Sequence, residues 1–128
     1  MTFMTQMEAA RKGKLTPQME RVLADEAIDQ DTLLEHVAAG RITIPANKHH
    51  SNLKGAGIGT GLRTKINVNL GVSKDCCNID MEMQKVKDAI ALKADAIMDL
   101  SNHGDTRQFR RKVVETSPVM IGTVPVYD

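Results

Sequence analysis

Aromatic residues are almost missing from this 128-residue chain: Phe3, Phe109 and Tyr127 are the whole set, and there is no tryptophan. Any core must therefore be filled by Ile, Val, Leu and Met. A charge excess is missing too, since 17 basic residues face 16 acidic ones and the net charge is +1. Domains whose main partner is nucleic acid carry a marked basic surplus, so that class is disfavoured. No window approaches the roughly 18 apolar residues of a membrane span. The start, "MTFMTQMEAARKGK", has no apolar signal-peptide core and reads as an amphipathic helix. Cysteine is scarce: Cys76 and Cys77 are neighbours, a poor arrangement for a structural disulfide. These absences together predict a cytoplasmic protein in a reducing compartment, with no membrane and no nucleic-acid partner.

What is present is ordinary for a soluble globular chain: 41% hydrophobic and 26% charged residues, one domain's worth or less. The first third is punctuated as short helices. Thr5 to Glu8 has capping-box spacing, and Gly13 stops the turn that follows. Thr16-Pro17 places a cap before a proline at the first helical position, opening a helix to about Ala27. Asp31 caps a third helix, "TLLEHVAAG", that ends at Gly40. "RITIP" alternates like a short strand until Pro45 breaks it. The polar, glycine-punctuated residues 46–61 read as a connecting loop.

From residue 64 the pattern changes. "TKINVNL", "DAIMDLS" and "VMIGTV" are strand candidates, near 64–70, 96–101 and 119–124. Between them lie two helical stretches. One has Ile79, Met83, Val86 and Ile90 at helical spacing; the other has Phe109 and Val113 on one face. Strand–helix–strand–helix–strand predicts an α/β fold with a parallel sheet and right-handed crossovers. Asn69, Met98 and Tyr127 recur every 29 residues, at or just past each strand's carboxyl end. That repeat fits the first three β/α units of a (β/α)8 barrel of about 250 residues, and equally a doubly wound sheet. The domain reading is a mostly helical region and linker over residues 1–61, then a partial barrel over 62–128. Three strands cannot close a barrel, and the last, ending at Asp128, lacks its covering helix. The expectation is a truncated chain.

Asn69 has two readings. It is a polar residue at the carboxyl end of a strand, where barrel enzymes place their sites, or a core amide satisfied by backbone. Lys65 and Asn67 share its polar face with a weaker claim. Met98 reads by default as packing, and Asp99 and Ser101 are more plausible site residues on chemistry alone. Tyr127 follows Pro125, which ends sheet pairing, so its ring either reaches a cleft or packs half-exposed. "GAGIGTG" lacks the glycine spacing of a dinucleotide loop and leads into a strand, so it is read as a flexible loop. Arg63 and Lys65 after it are solvated bases or contacts for an anion. The His49-His50 and Cys76-Cys77 pairs lack the spacing of metal ligands. "RQFRRK" is read as a helix's wet face.

Taken together, "TQMEAARKG" with "TPQME", "IPANKHH", "GLRTKINVNLG", "AIMDLS" and "SPVMIGTVPVYD" carry a resemblance that runs nearly end to end. The chain resembles the amino-terminal part of the phosphomethylpyrimidine synthase (thiamin pyrimidine synthase, ThiC) family, especially its shorter form in anaerobic bacteria. The resemblance implies a (β/α)8 barrel behind a small amino-terminal domain. It implies a radical S-adenosylmethionine lyase that turns 5-aminoimidazole ribotide into 4-amino-5-hydroxymethyl-2-methylpyrimidine phosphate in thiamine biosynthesis. A 4Fe–4S cluster, S-adenosyl-L-methionine, zinc, a reductant protein and a homodimer come with it. It implies substrate contacts at Asn69, Met98 and Tyr127, which overturns the packing reading of Met98. It implies no catalytic assignment and no metal ligand within this stretch, because the cluster cysteines and zinc histidines of the family fall beyond Asp128. Residues 1–128 alone are therefore expected to show no turnover. Two alternatives stand beside this one: 5-hydroxybenzimidazole synthase, a paralogue using the same ribotide, and a non-catalytic, shortened binding module.

Overall fold

The computed structural model describes residues 4–127; Phe3 and Asp128, named above, lie outside the described residues. The chain divides into two compact units. One comprises the described residues up to Ala46 together with Gly55–Thr64; the other comprises Asn47–Lys54 and the described residues from Lys65 onward.

The first unit is built on helix caps. Helix α1 (Gln6–Arg11) opens with the capping box that the sequence predicts. The Thr5 N–H donates to Glu8 Oε2 at 2.8 Å, and the Glu8 N–H donates to Thr5 Oγ1 at 3.1 Å. Helix α2 (Pro17–Asp25) starts at Pro17 behind the Thr16 cap. Helix α3 (Gln30–Ala38) is capped by Asp29 and not by Asp31. Asp29 stands three residues before Thr32 and accepts both its N–H (2.9 Å) and its hydroxyl (2.7 Å); Asp31 falls in the first turn. The backbone donation from Thr32, then the hydroxyl, holds the Asp29 carboxyl below the ordinary carboxylate range. Met19, Val22, Leu33 and Val37 meet in the core with Ile42 and Ile44. Strand β1 (Ile42–Thr43) pairs antiparallel with β2 (Ile58–Gly59), so the expected connecting loop contains a strand of its own.

The second unit carries the parallel sheet. Strands β3 (Asn67–Leu70), β4 (Ala96–Asp99) and β5 (Met120–Thr123) lie side by side in chain order. Helix α4 (Ile79–Ala91) joins the first two, and α5 (Thr106–Thr116) joins the second two. Parallel neighbours require such crossovers, because a tight turn cannot reverse the chain twice. Both helices cover the same face. Val86 and Ala89 of α4 and Phe109 and Val113 of α5 bury Val68, Leu70, Ile97 and Ile121. With aromatics so scarce, Phe109 is the largest fully buried side chain in the molecule's described part.

Residues 47–54 belong to this second unit and are held to it by polar bonds. The buried His50 places Nε2 2.6 Å from the Ser117 carbonyl oxygen; since a carbonyl only accepts, Nε2 carries the proton and donates. The Lys54 N–H donates to the Pro118 carbonyl at 2.7 Å. His50 is thus a satisfied structural histidine.

Two outcomes follow. Phe109→Ala opens a cavity that the aliphatic neighbours cannot refill and costs about 3–5 kcal/mol, read as a lowered urea midpoint against the unsubstituted chain. Asp29 stabilises α3 only while ionised. Its depressed pKa means that this stabilisation is present above the unfolded carboxylate value and is lost as pH falls through the folded one. Acid titration followed by circular dichroism should lose less helix in Asp29→Asn than in the unsubstituted chain; equal losses would show that the cap does not titrate.

Candidate functional site

Strand register decides which side chains meet. Asn69 pairs with Met98, and Met98 pairs with Gly122, so these three form one row across the sheet. Register partners on parallel strands point to the same face. The row, with Asn67, Ala96 and Met120 below it, lies on the face opposite the helix-covered aliphatics.

Asn69 is exposed, and its Oδ1 accepts from Asn67 Nδ2 at 2.8 Å. This bond between residues two apart on one strand orients the Asn69 amide. Met98 is half-buried. Its thioether lies across Gly122, so that a Cβ built on Gly122 would stand 2.8 Å from both Sδ and Cε. The absent side chain of Gly122 is the space in which Met98 sits.

Tyr127 is placed differently from the other two. The 29-residue spacing holds from Asn69 to Met98, but the register partner of Met98 is Gly122, 24 residues on. The second crossover is shorter because α5 has 11 residues where α4 has 13, and its loops are shorter as well. Tyr127 therefore stands beyond β5, in a 3-10 turn (Pro125–Tyr127) where its N–H donates to the Val124 carbonyl. It is 49% exposed. The sheet brings Asn69 and Met98 together and leaves Tyr127 beyond the row.

Asp99 and Ser101, candidates on chemistry alone, are turned to structural use. Both are buried. Asp99 shares a face with Leu70, not with Asn69. Its Oδ1 accepts the Ser101 N–H at 3.0 Å and its Oδ2 accepts from Arg110 Nε at 3.3 Å. Ser101 Oγ in turn accepts the Val72 N–H at 3.0 Å. Glu82, in the first turn of α4, completes the set. It is 1% exposed, and its Oε2 accepts the Gly71 N–H at 2.9 Å. Its Oε1 takes Lys85 Nζ at 2.6 Å, and this hydrogen bond raises the Lys85 pKa. A glycine immediately after a strand and an acid eleven residues later in a helix were the only traces of this bond in the sequence.

Cys76 and Cys77 are exposed free thiols in the β3–α4 loop. Among the described residues no group of three or more His, Cys, Asp or Glu side chains is arranged to hold a metal ion. Among them too, no helix is long and apolar enough to cross a membrane.

Comparison with known proteins identifies the family. A model of the radical SAM ThiC family matches residues 5–128. The phosphomethylpyrimidine synthase of Pelotomaculum thermopropionicum is 62% identical over 128 residues, covering the whole chain and 30% of that protein. The protein of the same name from Fusobacterium nucleatum is 60% identical over 126 residues, covering 98% of the chain and 29% of its own length. That of Clostridium kluyveri is 59% identical over 128 residues, covering the whole chain and 29% of the relative. The chain thus spans a little under a third of the length of these curated relatives. A match of this extent and identity places the chain in the radical SAM ThiC family.

Proposed function

We propose that this chain forms the ribotide-gripping, amino-terminal part of a phosphomethylpyrimidine synthase. The full-length lyase converts 5-aminoimidazole ribotide into 4-amino-5-hydroxymethyl-2-methylpyrimidine phosphate. The observation that carries the reading is the side-by-side placement of Asn69 and Met98 on the helix-free face, within a chain of this family. An imidazole ring is planar, with apolar faces and polar edges. A thioether suits the face, and a carboxamide suits the edge. With Oδ1 engaged by Asn67, the Nδ2 end of Asn69 is the one left to donate to the ligand. Tyr127, one exposed turn past β5, supplies a phenol that closes over the ring from beyond the row.

The sheet is the first wall of a (β/α)8 barrel on this reading. Both helices lie on one face and the strands follow in chain order, so the opposite face, with its two asparagines, becomes the lumen. The unit made of the described residues up to Ala46 with Gly55–Thr64 would then be the small amino-terminal domain of that family. The residues described do not fit the 4Fe–4S cluster, because Cys76 and Cys77 are adjacent and have no third ligand arranged with them. The cluster, S-adenosyl-L-methionine and zinc are assigned to the remainder of the full-length protein, as are the homodimer contacts and the reductant's docking surface. What these 128 residues do is bind and orient substrate.

Full-length protein supplied with reductant, S-adenosylmethionine and ribotide should release the pyrimidine phosphate, identified by mass spectrometry. Release of 5-hydroxybenzimidazole would assign it to the paralogue, and turnover by residues 1–128 alone would refute the division of labour. Gly122→Ala should displace the Met98 thioether and weaken ribotide binding on the order of tenfold with little change in melting temperature, because the new methyl meets the end of a flexible side chain rather than backbone. Unchanged titration calorimetry would remove Met98 from the site.

A further inference from the structure

We propose that Glu82, Asp99 and Ser101 are positioning residues that lock the loops after β3 and β4 together and thereby hold Asn69 and Met98 at the spacing the ribotide needs. The inference rests on the ribotide reading above. None of the three touches the lumen-side row; each is buried behind it, and each spends its polar atoms on the backbone or on a partner of the same rim.

Gly71 is the first residue past β3. Its φ of +144° is open to glycine and strained for any other residue, and a Cβ there would stand 2.5 Å from the Ser101 nitrogen. The two loops therefore run backbone against backbone. Pairing continues past the strand ends, with the Leu100 N–H donating to the Leu70 carbonyl at 2.8 Å and the Asn102 N–H to the Val72 carbonyl at 3.0 Å. Such a contact buries N–H groups that strand pairing does not satisfy. Glu82 takes that of Gly71, Ser101 Oγ that of Val72, and Asp99 that of Ser101. Each side chain answers one orphaned donor in one of the two loops. Without them the loops separate or rotate to reach water, because a buried donor left without an acceptor carries the full cost of its lost hydration. Asn69 lies two residues before Gly71, and Met98 two or three before Leu100 and Ser101, so the displacement is transmitted directly to the row.

A purely structural role would lower melting temperature and leave ribotide affinity intact well below it; a positioning role lowers affinity in protein that is still folded. The experiment measures both in full-length protein, by calorimetric titration with 5-aminoimidazole ribotide and by thermal unfolding. Asn69→Ala serves as the reference for the site itself. Ser101→Ala, which removes the Val72 acceptor in the mildest way, should weaken binding by on the order of tenfold at a temperature where the variant is fully folded. Glu82→Gln keeps an acceptor for the Gly71 N–H and should bind within about threefold of the unsubstituted protein, whereas Glu82→Met, similar in length but without an acceptor, should lose on the order of tenfold. If Asn69→Ala abolishes binding while Ser101→Ala and Glu82→Met bind normally, the positioning role is wrong and the ribotide site stands. If Asn69→Ala itself binds normally, the ribotide site is wrong and the positioning role falls with it. Should Glu82→Met not fold, Ser101→Ala against Glu82→Gln decides the matter.

Discussion

Two backbones pass each other at Gly71 more closely than any side chain permits, and much of the second unit is arranged around that approach. Parallel strands have no turn to fix their relative position; the chain leaves one strand, crosses through a helix and returns. What sets β4 against β3 in this protein is the continuation of pairing beyond both strand ends, through Leu100 and Asn102, with Gly71 between them. The contact has a chemical consequence, since N–H groups pressed between two loops lose water and need acceptors. The acids and the serine that stand there are buried for that reason, and Lys85 and Arg110 follow as their counter-charges.

The second constraint is one-sided burial. With few aromatics the sheet is covered by aliphatics from α4 and α5, and Phe109 is the exception, fully buried among them. Because both helices lie on one face, the other is left to Asn67, Asn69, Ala96, Met98, Met120 and Gly122. That face carries two amides and a flexible thioether for which Gly122 makes room.

Much of this was legible beforehand. The capping box at Thr5 and the cap-and-proline at Thr16 are local, depending on hydrogen bonds within four residues, and both stand where the sequence predicts. The alternation of three strands and two helices is equally local in origin. The cap of α3 is Asp29 and not the expected Asp31: both acids precede the same apolar face, and only the helical register tells which one meets the Thr32 N–H. Strand β2 was hidden because two residues between glycines show no periodicity; its existence depends on β1 as a partner. The 29-residue spacing is true for one crossover and coincidental for the next, since register counts pairing and not chain length.

Sequence alone determined the element types and order of the second unit, the three helices of the first, and the family, because propensity, capping and hydrophobic period act over a few residues and family motifs are written in order along the chain. It also singled out Asn69 and Met98 as strand-end residues. Tertiary structure alone decided that these two stand shoulder to shoulder, that Tyr127 lies a turn beyond them, and that Glu82, Asp99 and Ser101 face backbone rather than ligand. The reason is physical. Which face a strand residue takes, and which buried N–H needs an acceptor, are properties of the pairing between segments some thirty residues apart, and no local pattern encodes them.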